Sequence, residues 1–321
     1  MGFISDLIPT NLNEEKEKFF LDNSYNPQFV YEKEVDQEKL YAQGKPNKKY
    51  LELAKHILEK TYFGRNEKDL YMMEGKFVDQ SYVDRAAKTF LQMHQLNKKY
   101  NVSWSSSYLT RASINRDTLK LRLPAEFRKE GLIGMLYHEI GTHALRNFNY
   151  QKQIWYKRKN KYGFSDYLKT EEGLATLHSN MPHSYKSAFV SAGRYFAVHK
   201  AQELSFAETW KQIGKYIQDY ETRWSVTVRE KRGLTDTSKP GGFTKDLVYF
   251  EGMVEVWKWL KDNNFDITDL YYGKVAKEDV EKAKKLNPNF YPKLPSFFTL
   301  SKDNYAKEIN EIGIFNEFDK V

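Results

Sequence analysis

Apolar residues recur at helical spacing along most of the chain. Leu51, Leu53, Ala54, Ile57 and Leu58 place an amphipathic helix over Lys48–Tyr62, and a second long helix is expected from Tyr82 to Tyr100. The pattern then changes. Val102 to Ser113 is rich in Ser, Trp, Tyr and Thr, Asn115-Arg116-Asp117 reads as a turn, and Thr118-Leu119-Lys120-Leu121-Arg122-Leu123 alternates with period two. This predicts a β-hairpin. Pro124 closes it and suits the start of a helix running from about Glu126 to Asn147.

Downstream, a basic and aromatic loop spans Gln151 to Ser165, followed by a helix carrying Glu172. Further helices are expected over Ser184–Glu203, Phe206–Val228 and Thr244–Lys261, with a short one over Asp279–Leu286. Gly233, Pro240, Gly241 and Gly242 make Arg229 to Phe243 a loop, and Pro288, Pro292 and Pro295 predict an irregular C-terminal stretch. Residues 1–35 lack clean periodicity. With no repeat and no low-complexity linker, the expected organisation is an N-terminal extension over 1–45, one catalytic domain over 46–285, and a segment over 286–321 packed on it. The expected class is α+β, mainly helical, with a small antiparallel sheet beside the helix that begins after Pro124.

Composition narrows the chemistry. The chain has 321 residues, long enough to bury a sizeable core, and 16% aromatic content argues for folding over disorder. It contains no cysteine, so disulfides and thiolate metal ligands are excluded. Neither a signal peptide nor a membrane-spanning run is visible, which makes a soluble, cytoplasmic protein the expectation. The net charge of +8 suits an acidic partner. Neither a membrane nor nucleic acid is expected.

The helix after Pro124 carries His138-Glu139-Ile140-Gly141-Thr142-His143, and Thr170-Glu171-Glu172-Gly173-Leu174-Ala175 follows about thirty residues later. Two imidazoles, one carboxylate ligand and one carboxylate base are the parts of a hydrolytic zinc site. His138, His143 and Glu172 are assigned as ligands and Glu139 as general base. The histidines are five residues apart, and on a regular helix positions i and i+5 differ by about 140°, too far to share an ion. A π-type distortion at Gly141 is therefore required. The strand Thr118–Leu123 is the expected place for an extended substrate to pair.

Glu171 competes with Glu172, and the residues alone do not separate them. His178 reads as a satisfied histidine at a helix end before it reads as a ligand, and His183 and His199 read the same way. His56 and His94 read as structural. Arg229, Lys231 and Arg232 beside Gly233, together with Lys245, form a cationic cluster able to capture a carboxylate; a solvated loop is the bland alternative. Tyr249 stands four residues after Lys245 on one helical face, and its phenol is a candidate oxyanion donor.

These blocks, together with Arg229-Glu230-Lys231-Arg232-Gly233-Leu234-Thr235-Asp236-Thr237-Ser238 and Gly242-Phe243-Thr244-Lys245-Asp246-Leu247-Val248-Tyr249, resemble the microtubule-associated tyrosine carboxypeptidases and their bacterial relatives named for a QEGLA motif. The likeness covers about residues 45 to 285. It implies a zinc peptidase, one ion per chain, that removes a C-terminal tyrosine from an acidic tail, in eukaryotes that of α-tubulin, with cytoskeletal association. It favours Glu172 over Glu171, because the first acidic position of the motif can be Gln, and it makes Arg229, Lys231, Arg232 and Lys245 candidates for holding the substrate's carboxylate and tail. The competing expectations are a basic microtubule- or nucleic-acid-binding protein with a non-catalytic metal site, and a zinc endopeptidase.

Overall fold

A computed structural model describes residues 3–61, 71, 72, 74–108 and 110–321. Tyr62, the expected last residue of the first long helix, and Leu109 lie outside the described residues. Among the described residues the chain is mainly helical with small sheets, as its patterning predicts. No described helix is long and apolar enough to cross a membrane. The chain divides into two compact units, Met1–Asp69 with Ala188–Phe250 and Lys320–Val321, and Leu70–Ser187 with Glu251–Asp319.

In the first unit, the helix Lys48–Lys60 packs against Phe189–Glu203. Asn47 caps the former by accepting from the Lys49 amide, and Tyr195 accepts from the Asn47 amide at 2.7 Å. The single helix expected over Phe206–Val228 is two, Phe206–Ile213 and Tyr220–Lys231, because Asp219 caps a fresh start by accepting from Thr222. Arg229, Glu230 and Lys231 are thus the last turn of a helix and not part of a loop. The N-terminal residues contribute to the core: the helix Leu12–Leu21 supplies Phe19, which packs with Phe29, Phe206, Trp210 and Trp224.

The second unit contains the strands β1 (Phe77–Val78), β2 (Asn101–Ser105), β3 (Ala112–Asn115), β4 (Thr118–Arg122) and β5 (Phe127–Arg128). β3 and β4 form the expected antiparallel hairpin, turning through Arg116 at φ 53, and β2 joins the other edge of β4 in parallel. β4 buries Leu119 and Leu121 and is paired on both sides, so it offers no edge to a substrate. That expectation is corrected: among the described residues, the edge strand beside the helical run that carries His138 and His143 is β3.

The C-terminal segment is not irregular. Ser301 caps a helix over Lys302–Phe315 that buries Tyr305, Ile309 and Ile312 on one stripe. Trp257 donates to the Ile309 carbonyl at 3.0 Å. The prolines occupy only the approach to this helix and outweighed its spacing in the sequence reading.

Candidate metal centre

A continuous helical run carries the two histidines. It is α-helical over Lys129–Leu136, π-helical over Tyr137–Ala144 and α-helical again over Leu145–Tyr150. Hydrogen bonding from i to i+5 brings residues five apart to neighbouring positions, so the spacing that fails on an α-helix succeeds here. The His138 and His143 rings lie 4.8 Å apart between centroids. The expected distortion at Gly141 is present, but not for the expected reason. A Cβ on Gly141 would sit 2.6 Å from the Phe297 ring, and its φ is not left-handed. Glycine is required there by close packing.

Side chains hold the π-turn in place. Thr142 donates to the Tyr137 carbonyl at 2.9 Å, and Tyr271 donates to the Gly141 carbonyl at 2.6 Å. Because the Thr142 proton goes to Tyr137, the 2.7 Å contact from Thr142 to His178 fixes a hydrogen on His178 Nδ1. His178 Nε2 then accepts from Tyr305 at 2.9 Å. Burial holds His178 neutral, well below the usual imidazole range. It is a satisfied helix-end histidine whose hydrogen bonds reach the turn that carries His138 and His143.

The second carboxylate comes from the helix Leu168–Asn180, which passes close to both of its neighbours. Gly134 meets the Ser179 carbonyl, and Gly173 meets the backbone of Gly252; a Cβ at either position would lie under 2.5 Å from those atoms. Glu172 Oε2 is thereby placed 3.6 Å from His143 Nε2 and 3.9 Å from His138 Nε2. One atom from each of the three residues lies within 4.8 Å of the others. Tetrahedral ligands at about 2.0–2.1 Å from zinc stand about 3.3 Å apart, so the two contacts of Glu172 are within about 0.6 Å of that spacing and the whole set within about 1.5 Å.

The donor chemistry fits such an ion. His138 is hydrogen-bonded to the Ala175 carbonyl, and His143 Nδ1 to Glu171 Oε1 at 2.8 Å, which turns Nε2 of each ring toward Glu172. This separates the two glutamates. Glu171 is occupied by His143, by Arg146 and by Lys274, whose ammonium lies 2.9 Å from Oε1. Desolvation opposes its charge, but Arg146 and Lys274 outweigh burial and hold the carboxyl well below its usual range. Arg146, fully buried, also donates to the Leu270 and Val275 carbonyls. Burial and the neighbouring His143 push His138 down. Burial likewise opposes charge on His143, but Glu171 and Glu172 overcome it and raise that ring to about 10.

Glu139 is buried, and its Oε2 accepts from the Ile114 amide of β3 at 2.8 Å. This fixes the carboxylate through one of its two oxygens. A cleft of about 870 Å³ contains His143, Glu171 and Glu172, with β3 and its turn, Tyr167 and Lys274 on its walls. Sequence reading missed Arg146, Lys274, Thr142, Tyr271 and Tyr305. Only Arg146, three residues after His143 on one helical face, carried a local signal.

The other predicted site residues lie in the first unit. Arg229 pairs with the buried Asp246, its Nη2 donating to Oδ1 at 2.8 Å, and Arg194 stands 3.8 Å from the same carboxylate. Charge on Tyr249 and Arg232 is felt by this group. Lys245 lies over the Tyr249 ring, 5.5 Å from its centroid. Lys231 departs from expectation. It is fully buried, and its ammonium faces the carbonyls of Ala201, Leu204, Lys239 and Gly241 at 2.6–3.2 Å. Its charge ties the chain after the helix together and is not available to a ligand.

The profile of the family described as "Microtubule-associated tyrosine carboxypeptidase" matches residues 21–306. Microtubule-associated tyrosine carboxypeptidase 1 of Mus musculus is 32% identical over 98% of this chain and 69% of its own length. The Homo sapiens protein of that name is also 32% identical, with 68% of its length covered. The putative tyrosine carboxypeptidase MATCAP2 of Mus musculus shows 32% identity, with 62% of its length covered. The profile over nearly the whole chain and the identity to these relatives show that the chain belongs to the microtubule-associated tyrosine carboxypeptidase family.

Proposed function

We propose that the chain is a zinc-dependent carboxypeptidase that removes a C-terminal tyrosine from an acidic peptide tail, with the α-tubulin tail as its substrate where the source has one. The observation that carries this reading is the convergence of His138, His143 and Glu172 beside the oriented carboxylate of Glu139. Those three residues would hold the ion, which when bound would polarise the scissile carbonyl and make water a nucleophile near neutral pH. Glu139, held by Ile114, takes the proton of the attacking water through Oε1 and passes it to the leaving amine. Glu171 keeps His143 in the tautomer that presents Nε2. The β3 edge orients the peptide by backbone pairing.

The family resemblance supplies the rest of the proposal. Arg229, Arg232 and Lys245 hold the terminal carboxylate and acidic tail, and Tyr249 donates to the developing oxyanion. Lys231 is left out because its ammonium is enclosed. In the family, relatives bear the names of tyrosine carboxypeptidases, which supports the reaction class.

The test uses zinc-loaded protein and peptides ending in Glu-Tyr, with a free or an amidated terminus. Tyrosine release from the free form alone is expected, and Glu139→Gln should keep the metal while losing turnover. Equal cleavage of the amidated peptide would point to an endopeptidase, and activity in Glu139→Gln would remove that residue as base.

A further inference from the structure

Phe148 projects from the helix that carries His143, five residues further on. Three lysines from separate segments gather around its ring: Lys152 at 4.2 Å, Lys99 at 5.0 Å and Lys293 at 5.4 Å from the centroid. Their polar contacts are neutral. Lys99 donates to the Gln151 side-chain oxygen, and Lys293 to that of Gln95 at 3.1 Å. Among the described residues none of the three makes an ion pair, although ion pairs are common elsewhere on this surface. Partial burial and the charge of Lys152 push both Lys99 and Lys293 below the usual ammonium range. Three like charges held on one ring without a carboxylate repel one another, and an anionic partner would relieve that repulsion.

The patch leads into the cleft. Lys99 and Gln151 line its wall, as do Lys157 and Arg116, which also lack ion pairs among the described residues. Asp117 is the one carboxylate on that wall besides Glu171 and Glu172. We propose that Lys99, Lys152 and Lys293 form an exosite for the acidic segment of a peptide substrate whose end occupies the cleft. This rests on the peptidase reading, which supplies the choice of partner: the cleft is walled by the edge strand β3, and a peptide can use that edge, beyond the Ile114 amide that Glu139 holds, together with the lysines. A nucleic acid would use the charge alone.

The test removes the charges with Lys99→Gln/Lys152→Gln/Lys293→Gln in the zinc-loaded chain. For a long glutamate-rich peptide ending in Glu-Tyr, kcat/KM should fall on the order of tenfold, the combined effect of three exposed charge contacts. For a short blocked peptide with the same end it should not change. The salt dependence of the long substrate should flatten. Fluorescence anisotropy of the long peptide on a Glu139→Gln background gives a second readout that needs no turnover, with the same weakening expected. Failure of the peptidase reading appears as no cleavage of either peptide, while the anisotropy still decides the exosite. Unchanged binding of the long peptide, or equal losses for both peptides, would overturn the proposal. So would oligodeoxythymidine of matched charge binding as tightly as the peptide and weakening equally.

Discussion

Thr142→Val isolates the hydroxyl that holds the π-turn. Valine preserves the branched shape, so the change removes two hydrogen bonds and little volume. The Tyr137 carbonyl loses its 2.9 Å partner, and the His178 Nδ1 hydrogen loses its 2.7 Å acceptor. Thr142 and His178 are both fully buried, so water does not replace the lost partners. The π-helical backbone bond still satisfies the Tyr137 carbonyl, so one buried group, the His178 Nδ1 hydrogen, is orphaned, at a cost of about 1–3 kcal/mol. Thr142→Ser keeps the hydroxyl and removes one methyl, a loss of about 1 kcal/mol. Denaturant unfolding of the metal-stripped protein should rank wild type, Ser and Val in that order of stability. Because the turn sets the direction of His143, zinc affinity measured against a chromophoric chelator should drop about 10–100-fold in the Val variant and far less in Ser. The reasoning is refuted if Val matches wild type within about 0.5 kcal/mol, a surface-like effect, or if Ser loses as much zinc affinity as Val.

Glu171→Gln keeps all three ligands but leaves Arg146 and Lys274 without their shared carboxylate and weakens the hold on His143. Chelator competition should show a loss of about 10–100-fold in zinc affinity. Gly141→Ala drives a methyl to 2.6 Å from Phe297 and should cost about 1–3 kcal/mol in denaturant unfolding. The metal-free protein has a pH signature. His143 is raised from an ordinary value near 6.5 to about 10, so its ion pairs contribute fully below about pH 6.5, and that stability is lost as pH rises through about 10. At pH 7 zinc must displace this proton, and calorimetry in buffers of different ionisation enthalpy should detect about one proton released per ion.

The parts of the site carried by spacing were legible in the sequence. The five-residue step from His138 to His143 demanded a π-turn, and the turn is present. The choice between Glu171 and Glu172 was not legible from the residues. It depends on which neighbour faces Arg146 and Lys274, and Lys274 lies about a hundred residues away. His178 looked like an ordinary helix-end residue because its partners, Thr142 and Tyr305, come from two other helices. Lys231 read as one cation among several, since nothing local shows that four carbonyls enclose it. The C-terminal helix was hidden by three prolines, although Tyr305, Ile309 and Ile312 already had helical spacing. The open edge of β3 follows from the parallel pairing of β2 with β4, a long-range choice that alternation along β4 leaves open.

The central claim is that a metal held by His138, His143 and Glu172 makes the chain a carboxypeptidase for terminal tyrosine. The most direct measurement is mass spectrometry of a Glu-Tyr-terminated acidic peptide incubated with metal-stripped, zinc-restored and zinc-restored Glu172→Gln protein. Loss of a single tyrosine is expected with the zinc-restored wild type and an intact peptide with the other two. Tyrosine release by the stripped protein, or undiminished release by Glu172→Gln, would contradict it.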